Sequence, residues 1–294
     1  MIIRDLIIGS KHFRHNLIQG PLAGYSCAPF RKLFYRYAAP AYCVTEMISA
    51  YDLVYNRHRS MRYLWRDPVE EQLCYQLSGN CPVILSEAVK IVTDAGADLI
   101  DLNCGCPKSK IRKKHCGSYL LAQPTQIARL VAAMKSSTNV PVTVKIRVDG
   151  ASQERYHLAV GQLAAEAGAD ALIVHGRHWN ENYDSPCHLD QIRELVEAVN
   201  IPVIGNGDVC DLNSLQNMLQ TGCAGVMISR AGTGRPWLFH HLLQQMRGEQ
   251  SVTPALPEVI DLFTQHLTDL IKLTNQQQAH LESRKLLQYY FPKN

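Results

Sequence analysis

The sequence predicts an α/β fold: a parallel (β/α)8 barrel of the TIM type, followed by a small, apparently shortened helical segment. Three observations carry this reading. Short apolar runs alternate with longer segments whose apolar residues recur three or four positions apart. Several of the runs are apolar throughout, as strands covered on both faces are. About eight strand–helix units fill residues 17 to about 235, close to the roughly 200–250 residues that one such barrel takes. An open doubly wound sheet is the alternative that the same alternation allows.

Taken in order, residues 1–16 read as a small hairpin that closes the barrel floor. Strands are predicted at 17–21 (LIQGP), 41–46 (AYCVTE), 72–77 (QLCYQL) and 98–103 (DLIDLN). Four more follow at 141–147 (PVTVKIR), 171–176 (ALIVHG), 202–206 (PVIGN) and 225–229 (GVMIS). The connections include TQIARLVAAMKSS and HLAVGQLAAEAG, which carry the helical period. Ala95-Gly96-Ala97-Asp98 and Ala167-Gly168-Ala169-Asp170 each end a helix on a glycine suited to the left-handed cap. Pro141 and Pro202 stand where a strand begins and no donor is needed. Residues 1–245 are therefore assigned to the barrel and 250–294 to a helical appendage of at most two helices. Its first helix starts at Pro257 and aligns Val259, Phe263, Leu267, Leu270 and Ile271 on one face.

Composition narrows the function classes. The 294 residues are 46% hydrophobic and 19% charged, which excludes a mostly disordered chain. No run approaches the roughly 20 apolar residues of a membrane helix. Arg4, Asp5 and Lys11 interrupt the N-terminal segment, so no signal-peptide core is read there. Ten cysteines without such a signal point to free thiols in a reducing cytoplasm. A net charge of +4 does not by itself demand a polyanionic partner. The chain is expected to be monomeric.

In a barrel, chemistry sits where strands end. Glu46, Gln76, Asn103, Lys145, Arg147, His175, Arg177, Asn206, Asp208 and Arg230 all stand at predicted strand ends. One such residue is a cap; a set of them is a site. Asn206-Gly207-Asp208 and Ser229-Arg230-Ala231-Gly232, the latter entering a short helix, combine glycine-freed amides, a helix N-terminus and a guanidinium, which suits a phosphomonoester. There is no G-x-G-x-x-G after the first strand, so a Rossmann dinucleotide fingerprint is missing. Lys145 would bring a cation into the barrel mouth, where an anion such as the N1–O2 side of a reduced flavin would offset its cost. Gln76 offers a donor and an acceptor to the mixed edge of that ring.

DLNCGCPKSKIRKKHCGS (101–118) is the richest segment. Its Cys and His spacing matches no common zinc finger, so no metal is assigned. A cysteine with an ordinary pKa of about 8.5 is a neutral proton donor at pH 7. The glycine and proline flanking Cys106 would present it on a rigid bend. Lys108, Lys110, Arg112, Lys113 and Lys114 follow, and a second basic stretch holds Arg57, His58, Arg59, Arg62 and Arg66, interleaved with Tyr55, Tyr63 and Trp65. Both fall on the predicted catalytic face, where they would meet phosphates of a nucleic acid.

These motifs together are a resemblance. The chain resembles the tRNA-dihydrouridine synthases, most of all the bacterial B-type. The match rests on GPLAG-x4-PFR (20–31), TEMIS (45–49), YQLSG (75–79) and the 101–118 segment. It continues through VKIR (144–147), HGR (175–177), NGD (206–208) and SRAGTGRPW (229–237). The resemblance implies an FMN-dependent, NADPH-using reductase of uridine in the D-loop of tRNA, with position 17 as the expected target. It implies that Pro21, Leu22 and Ala23 lie against the flavin, Gln76 binds its pyrimidine edge and Lys145 meets N1–O2. His175, Asn206, Gly207, Asp208, Ser229 and Arg230 would surround the phosphate. Cys106 would be the general acid, with Asn103 and Arg147 holding the uracil. Two positions depart from the pattern: Ser229 replaces a usual glycine, and Val148-Asp149-Gly150 replaces the usual Thr-Gly. Family chains also continue through further helices past the ESRK segment, so a short appendage is expected here. The alternatives are a catalytically silent FMN- and tRNA-binding protein and a flavoenzyme acting on a free pyrimidine.

Overall fold

The computed structural model describes residues 4–152 and 155–292. Two short strands, β1 (Leu6–Ile8) and β2 (Lys11–Phe13), pair antiparallel with Leu6 opposite Phe13. They form the predicted hairpin, of which residues 1–3 lie outside the described residues. Nine further strands follow: β3 (Leu17–Gln19), β4 (Cys43–Val44), β5 (Ile48–Ser49), β6 (Leu73–Ser78) and β7 (Leu99–Asn103). The rest are β8 (Val142–Arg147), β9 (Ala171–His175), β10 (Val203–Asn206) and β11 (Gly225–Ile228).

All neighbouring pairs from β3 to β11 are parallel, and the sheet closes on itself through β11–β3 and β4–β6. This is the (β/α)8 barrel; the open doubly wound alternative is excluded by closure. One element differs from expectation. The predicted 41–46 strand is only two residues long, and a separate β5 pairs with the end of β6. The break falls after Val44, where the Gln76 amide donates to Thr45 Oγ1 at 3.1 Å instead of to a backbone carbonyl, and the Glu46 side chain beyond it accepts the amide of Gly24 at 2.5 Å.

Period-two alternation sorts the strand residues into two cores. Leu73, Tyr75, Leu77, Ile100, Leu102, Val144 and Ile146 face outward and pack under the helices. Ile18, Tyr42, Val44, Cys74, Leu99, Ile173, Ile204 and Met227 fill the lower barrel, where Leu6, Ile8 and Phe13 of the hairpin plug it. The upper inward positions are polar. An apolar floor and a polar top confine the chemistry to one end of the barrel.

Helices Leu256–Leu273 and Gln276–Tyr290 form the C-terminal appendage. Val259, Leu262, Leu270, Ala279, Leu286 and Tyr290 join the same apolar core as Phe30 and Phe34. Of the face expected on the first helix, Ile271 is instead 37% exposed, and His266 takes a buried place. The true stripe runs Val259–Leu262–His266–Leu270, one position off the aliphatic pattern, because Tyr290 offers His266 a hydroxyl at 3.0 Å. Burial pushes His266 down to about 4, against the opposing charges of Asp269 and Glu282.

The unfolded chain therefore binds this proton below about pH 6.5 and the folded chain does not, so stability is lost as pH falls from 6.5 to 4. The loss from this residue is expected to reach about 3 kcal/mol. Urea unfolding of wild type and His266→Leu across that range checks it. Identical slopes of stability against pH would remove His266 from the explanation.

Candidate active site

The strand C-termini surround a cavity of about 1130 Å³. Pro21, Leu22 and Ala23 line it beyond β3, Gln76 from β6, and Asn103 and Cys106 from the end of β7. Lys145 and Arg147 line it from β8, and His175 from β9. Asn206, Gly207 and Asp208 close it beyond β10, as do Ser229 and Arg230 beyond β11. Residues spread over 210 positions of sequence thus share one wall, since parallel strands of a barrel all end on the same side.

A chain of hydrogen bonds climbs from the barrel interior to the thiol. Thr143 donates to Asp101 Oδ1 at 2.7 Å, and Gln76 Nε2 donates to Asp101 Oδ2 at 2.8 Å. Asn103 Nδ2 donates to Gln76 Oε1 at 2.8 Å, and the Cys106 amide donates to Asn103 Oδ1 at 3.0 Å. The Cys106 carbonyl accepts the Ser118 amide at 3.0 Å. Gly117, at φ +61°, lies beneath; a Cβ there would come within 2.7 Å of the Cys106 carbonyl oxygen. The thiol is therefore carried on a bend held from both ends, over a residue that must be glycine. Asn103, expected to hold uracil, holds this bend as well.

Arg147 shares that work. Its Nε donates to the Gly105 carbonyl at 2.7 Å and its Nη1 to the His178 carbonyl at 3.1 Å. Lys145 Nζ donates to Asn206 Oδ1 at 2.6 Å. Burial pulls the Lys145 ammonium below its usual range, and the Asp101 charge opposes this. Burial likewise pushes Asp101 up.

The far end of the cavity is cationic. His175 is driven well down by burial and by Arg147, Lys145, Arg177 and Arg230, so the imidazole is neutral. Gly207 has φ +133°, and a Cβ there would overlap Cys187 Sγ at 2.3 Å. Asp208 sits in the left-handed region at φ +54°. Its carboxylate bridges Arg177 at 2.5 Å and Arg230 at 3.2 Å. An anion beside Asp208 would thus meet a carboxylate already neutralised by two guanidiniums. Beyond β11, Ser229 leads into a 3-10 turn, Arg230–Gly232, whose first amides have no acceptor within the turn.

The second basic stretch is not the uniform patch that the sequence suggests. Arg62 forms a bidentate pair with Glu282 of the last helix at 2.8 and 3.1 Å. Arg66 pairs with Asp98 at 2.9 Å and caps the carbonyls of Glu70, Glu71 and Gly96. Arg57, His58 and Arg59 remain on the surface. Arg62 and Arg66 are engaged internally because each lies beside a carboxylate that the linear sequence places far away.

Of the aromatic rim, sequence reasoning placed only Tyr63 on this face. Tyr25, Tyr63, Tyr183 and Tyr289 also line the cavity. Tyr183 stacks on Arg230, whose guanidinium carbon lies 3.9 Å from the ring centroid. Tyr289 arrives from the last helix and meets Tyr25 edge-on at 5.8 Å. Its backbone presses on Gly234, where a Cβ would come within 2.4 Å of the Tyr289 carbonyl carbon. Nothing periodic announces that residue 289 returns to the loop after β11; Gly234 is the one local trace of it. Among the described residues no group of three or more His, Cys, Asp or Glu side chains converges as metal ligands would.

The dihydrouridine synthase family model matches residues 18–293, nearly the whole chain. This chain belongs to the dihydrouridine synthase family. Among curated dihydrouridine synthases it is 33% identical over 290 residues to the tRNA-dihydrouridine synthase B of Vibrio cholerae, covering 98% of this chain and 89% of the relative. It is 34% identical over 291 residues to that of Proteus vulgaris, with the same coverage. With that of Pseudomonas putida it shares 36% over 265 residues, 90% of this chain and 78% of the relative. The fold of this chain is also similar to the X-ray structure of an old yellow enzyme homologue from Zymomonas mobilis. There the TM-score is 0.63 at 9% identity, covering 87% of this chain and 95% of that one.

Proposed function

We propose that this chain reduces uridine to 5,6-dihydrouridine in the D-loop of tRNA, with FMN as cofactor and NADPH as reductant, in the cytoplasm. The observation that carries the reading is the held thiol of Cys106 on the rim of a cationic cavity in a dihydrouridine synthase chain. The cavity fits a flavin mononucleotide. Lys145, Arg147, Arg177 and Arg230 gather at one end, and among the described residues Asp208 is the only carboxylate that ion-pairs there. That leaves positive charge for a phosphate to offset. Gly207, Ser229, Arg230 and the neutral His175 would hold the phosphate, together with the backbone amide of Asp208. Pro21, Leu22 and Ala23 would lie against the ring, with Gln76 at its pyrimidine edge.

When bound and reduced, the cofactor supplies the hydride that adds to C6 of uracil. Lys145, its ammonium held by Asn206, would offset the negative charge that the ring gains on reduction. Asn103 and Arg147 hold the base and, through the Cys106 and Gly105 backbone, hold the acid that serves it. Cys106 gives its proton to C5, and its thiolate is reprotonated from solvent at the open mouth. A uridine stacked inside tRNA must be turned out of its stack to reach this depth. The surface cations of 108–114 would grip the neighbouring phosphates. The barrel, 1–245, would carry the chemistry and the helices of 250–294 would help hold tRNA.

Mapping dihydrouridine in tRNA from cells with and without the gene tests the proposal. Loss at a D-loop uridine, restored by the wild-type gene, is the expected result. An unchanged map, with FMN bound to the purified protein, would leave a silent flavin-binding protein and overturn it.

A further inference from the structure

Across Pro107 from the large cavity lies a second concavity of about 540 Å³. Arg112, Lys113, His115, Tyr119 and Trp179 line it, and Pro107 borders both spaces. Two flat stacks form its walls. The Arg112 guanidinium carbon lies 3.6 Å from the Trp179 ring centroid. The His115 ring stacks on Tyr119 at 4.5 Å and 23°. His115 holds φ +54°, a left-handed backbone that a histidine adopts at a cost, and this turn sets its ring on Tyr119.

No carboxylate among the described residues lines the concavity. Among the described residues, none of Lys108, Lys110, Arg112, Lys113 and Lys114 forms an ion pair. The five cations divide along the rim. Lys108, Lys110 and Lys114 line the large cavity, whereas Arg112 and Lys113 line the small one. Such a ridge, cationic on both slopes and flanked by aromatic faces, suits a polyanion that carries flat rings and crosses it.

We infer that the concavity is a second nucleotide subsite, which takes a base and phosphate of the RNA next to the uridine entering the large cavity. The inference rests on the function proposed above. Stacked aromatic and guanidinium planes accept any base through its π-face, and unpaired cations accept the phosphate beside it. A dinucleotide reductant also bears a purine and phosphates, but five cations along one ridge, without an ion pair among the described residues, fit the longer run of phosphates in RNA.

Trp179→Ala and His115→Asn test the subsite in the FMN-loaded enzyme. Asparagine tolerates the left-handed backbone, so the second variant removes the ring and spares the turn. Stacking of a base is worth about 1–3 kcal/mol, or roughly 5–150-fold in affinity. Each variant is expected to raise the Kd for unmodified tRNA transcript by a factor in that range, and Trp179→Phe to restore most of it. The rate at which NADPH reduces the flavin, followed anaerobically by absorbance, is expected to stay unchanged. Wild-type tRNA affinity in both variants would overturn the subsite while leaving the proposed function intact. Slower reduction by NADPH with normal tRNA affinity would assign the concavity to the reductant and overturn it equally. A wild-type enzyme that neither binds tRNA nor forms dihydrouridine would defeat the functional reading itself, and the subsite with it.

Discussion

Replacing Cys106 by alanine is expected to lower uridine reduction by about 10²–10⁴-fold, the usual contribution of a positioned general acid. The FMN absorbance of the purified protein is expected to persist. The change removes one Sγ from a half-buried side chain and leaves the bend intact, because the bend is held through its backbone and not through the thiol. The Cys106 amide is held by Asn103 Oδ1 and its carbonyl by the Ser118 amide. Single-turnover oxidation of the reduced enzyme by unmodified tRNA, with product quantified by mass spectrometry, separates this step from flavin reduction. Cys116→Ala is the control, since Cys116 also lines the cavity but its thiol donates into the Lys114 carbonyl. Equal rates for wild type and Cys106→Ala would remove the thiol from the mechanism.

Arg31→Met is expected to cost about 3–5 kcal/mol of stability, the penalty for leaving one member of a buried ion pair uncompensated. The side chains of Arg31 and Glu70 are 1% and 0% exposed. Arg31 Nε meets Glu70 Oε1 at 2.5 Å and Nη2 meets Oε2 at 3.0 Å. The same guanidinium also donates to the carbonyls of Ser26 at 2.8 Å and Trp65 at 2.9 Å. Ser26 Oγ in turn accepts the Leu22 amide, so the pair anchors the loop proposed to face the flavin. The double variant Arg31→Met/Glu70→Leu is expected to recover much of the loss, because no lone charge remains buried. Urea midpoints of the three proteins decide it. A single variant within about 1 kcal/mol of wild type, or a double variant no better than the single, would show that the pair is not uncompensated when broken.

Much of the cavity was legible beforehand for one physical reason. A parallel barrel gathers all its strand ends on one side, so polar residues closing apolar runs must converge once the strands are identified. Gln76, Asn103, Lys145, Arg147, His175 and Asn206 were found in that way. The short β4 was not, because the Gln76 amide that would continue the ladder donates to the hydroxyl of Thr45, 31 positions away. Neither was the place of His266, which looks like a polar interruption until Tyr290 supplies its hydroxyl.

The sequence by itself determined the order of strands and helices, the closed barrel they build, and the residues delivered to its mouth. Those follow from periodicity and turn chemistry, which act over a few neighbouring positions. Only the tertiary structure decided which of those groups remain free to act. Asp208 is neutralised by Arg177, Arg62 is tied to Glu282, and Tyr289 returns to the rim beside Gly234. Each of these depends on a single atom meeting another 31 to 220 residues or so away, and no local pattern encodes such a meeting. A hydrogen bond or ion pair is decided over a few tenths of an ångström. That is a distance set by how whole elements pack, not by the residues on either side.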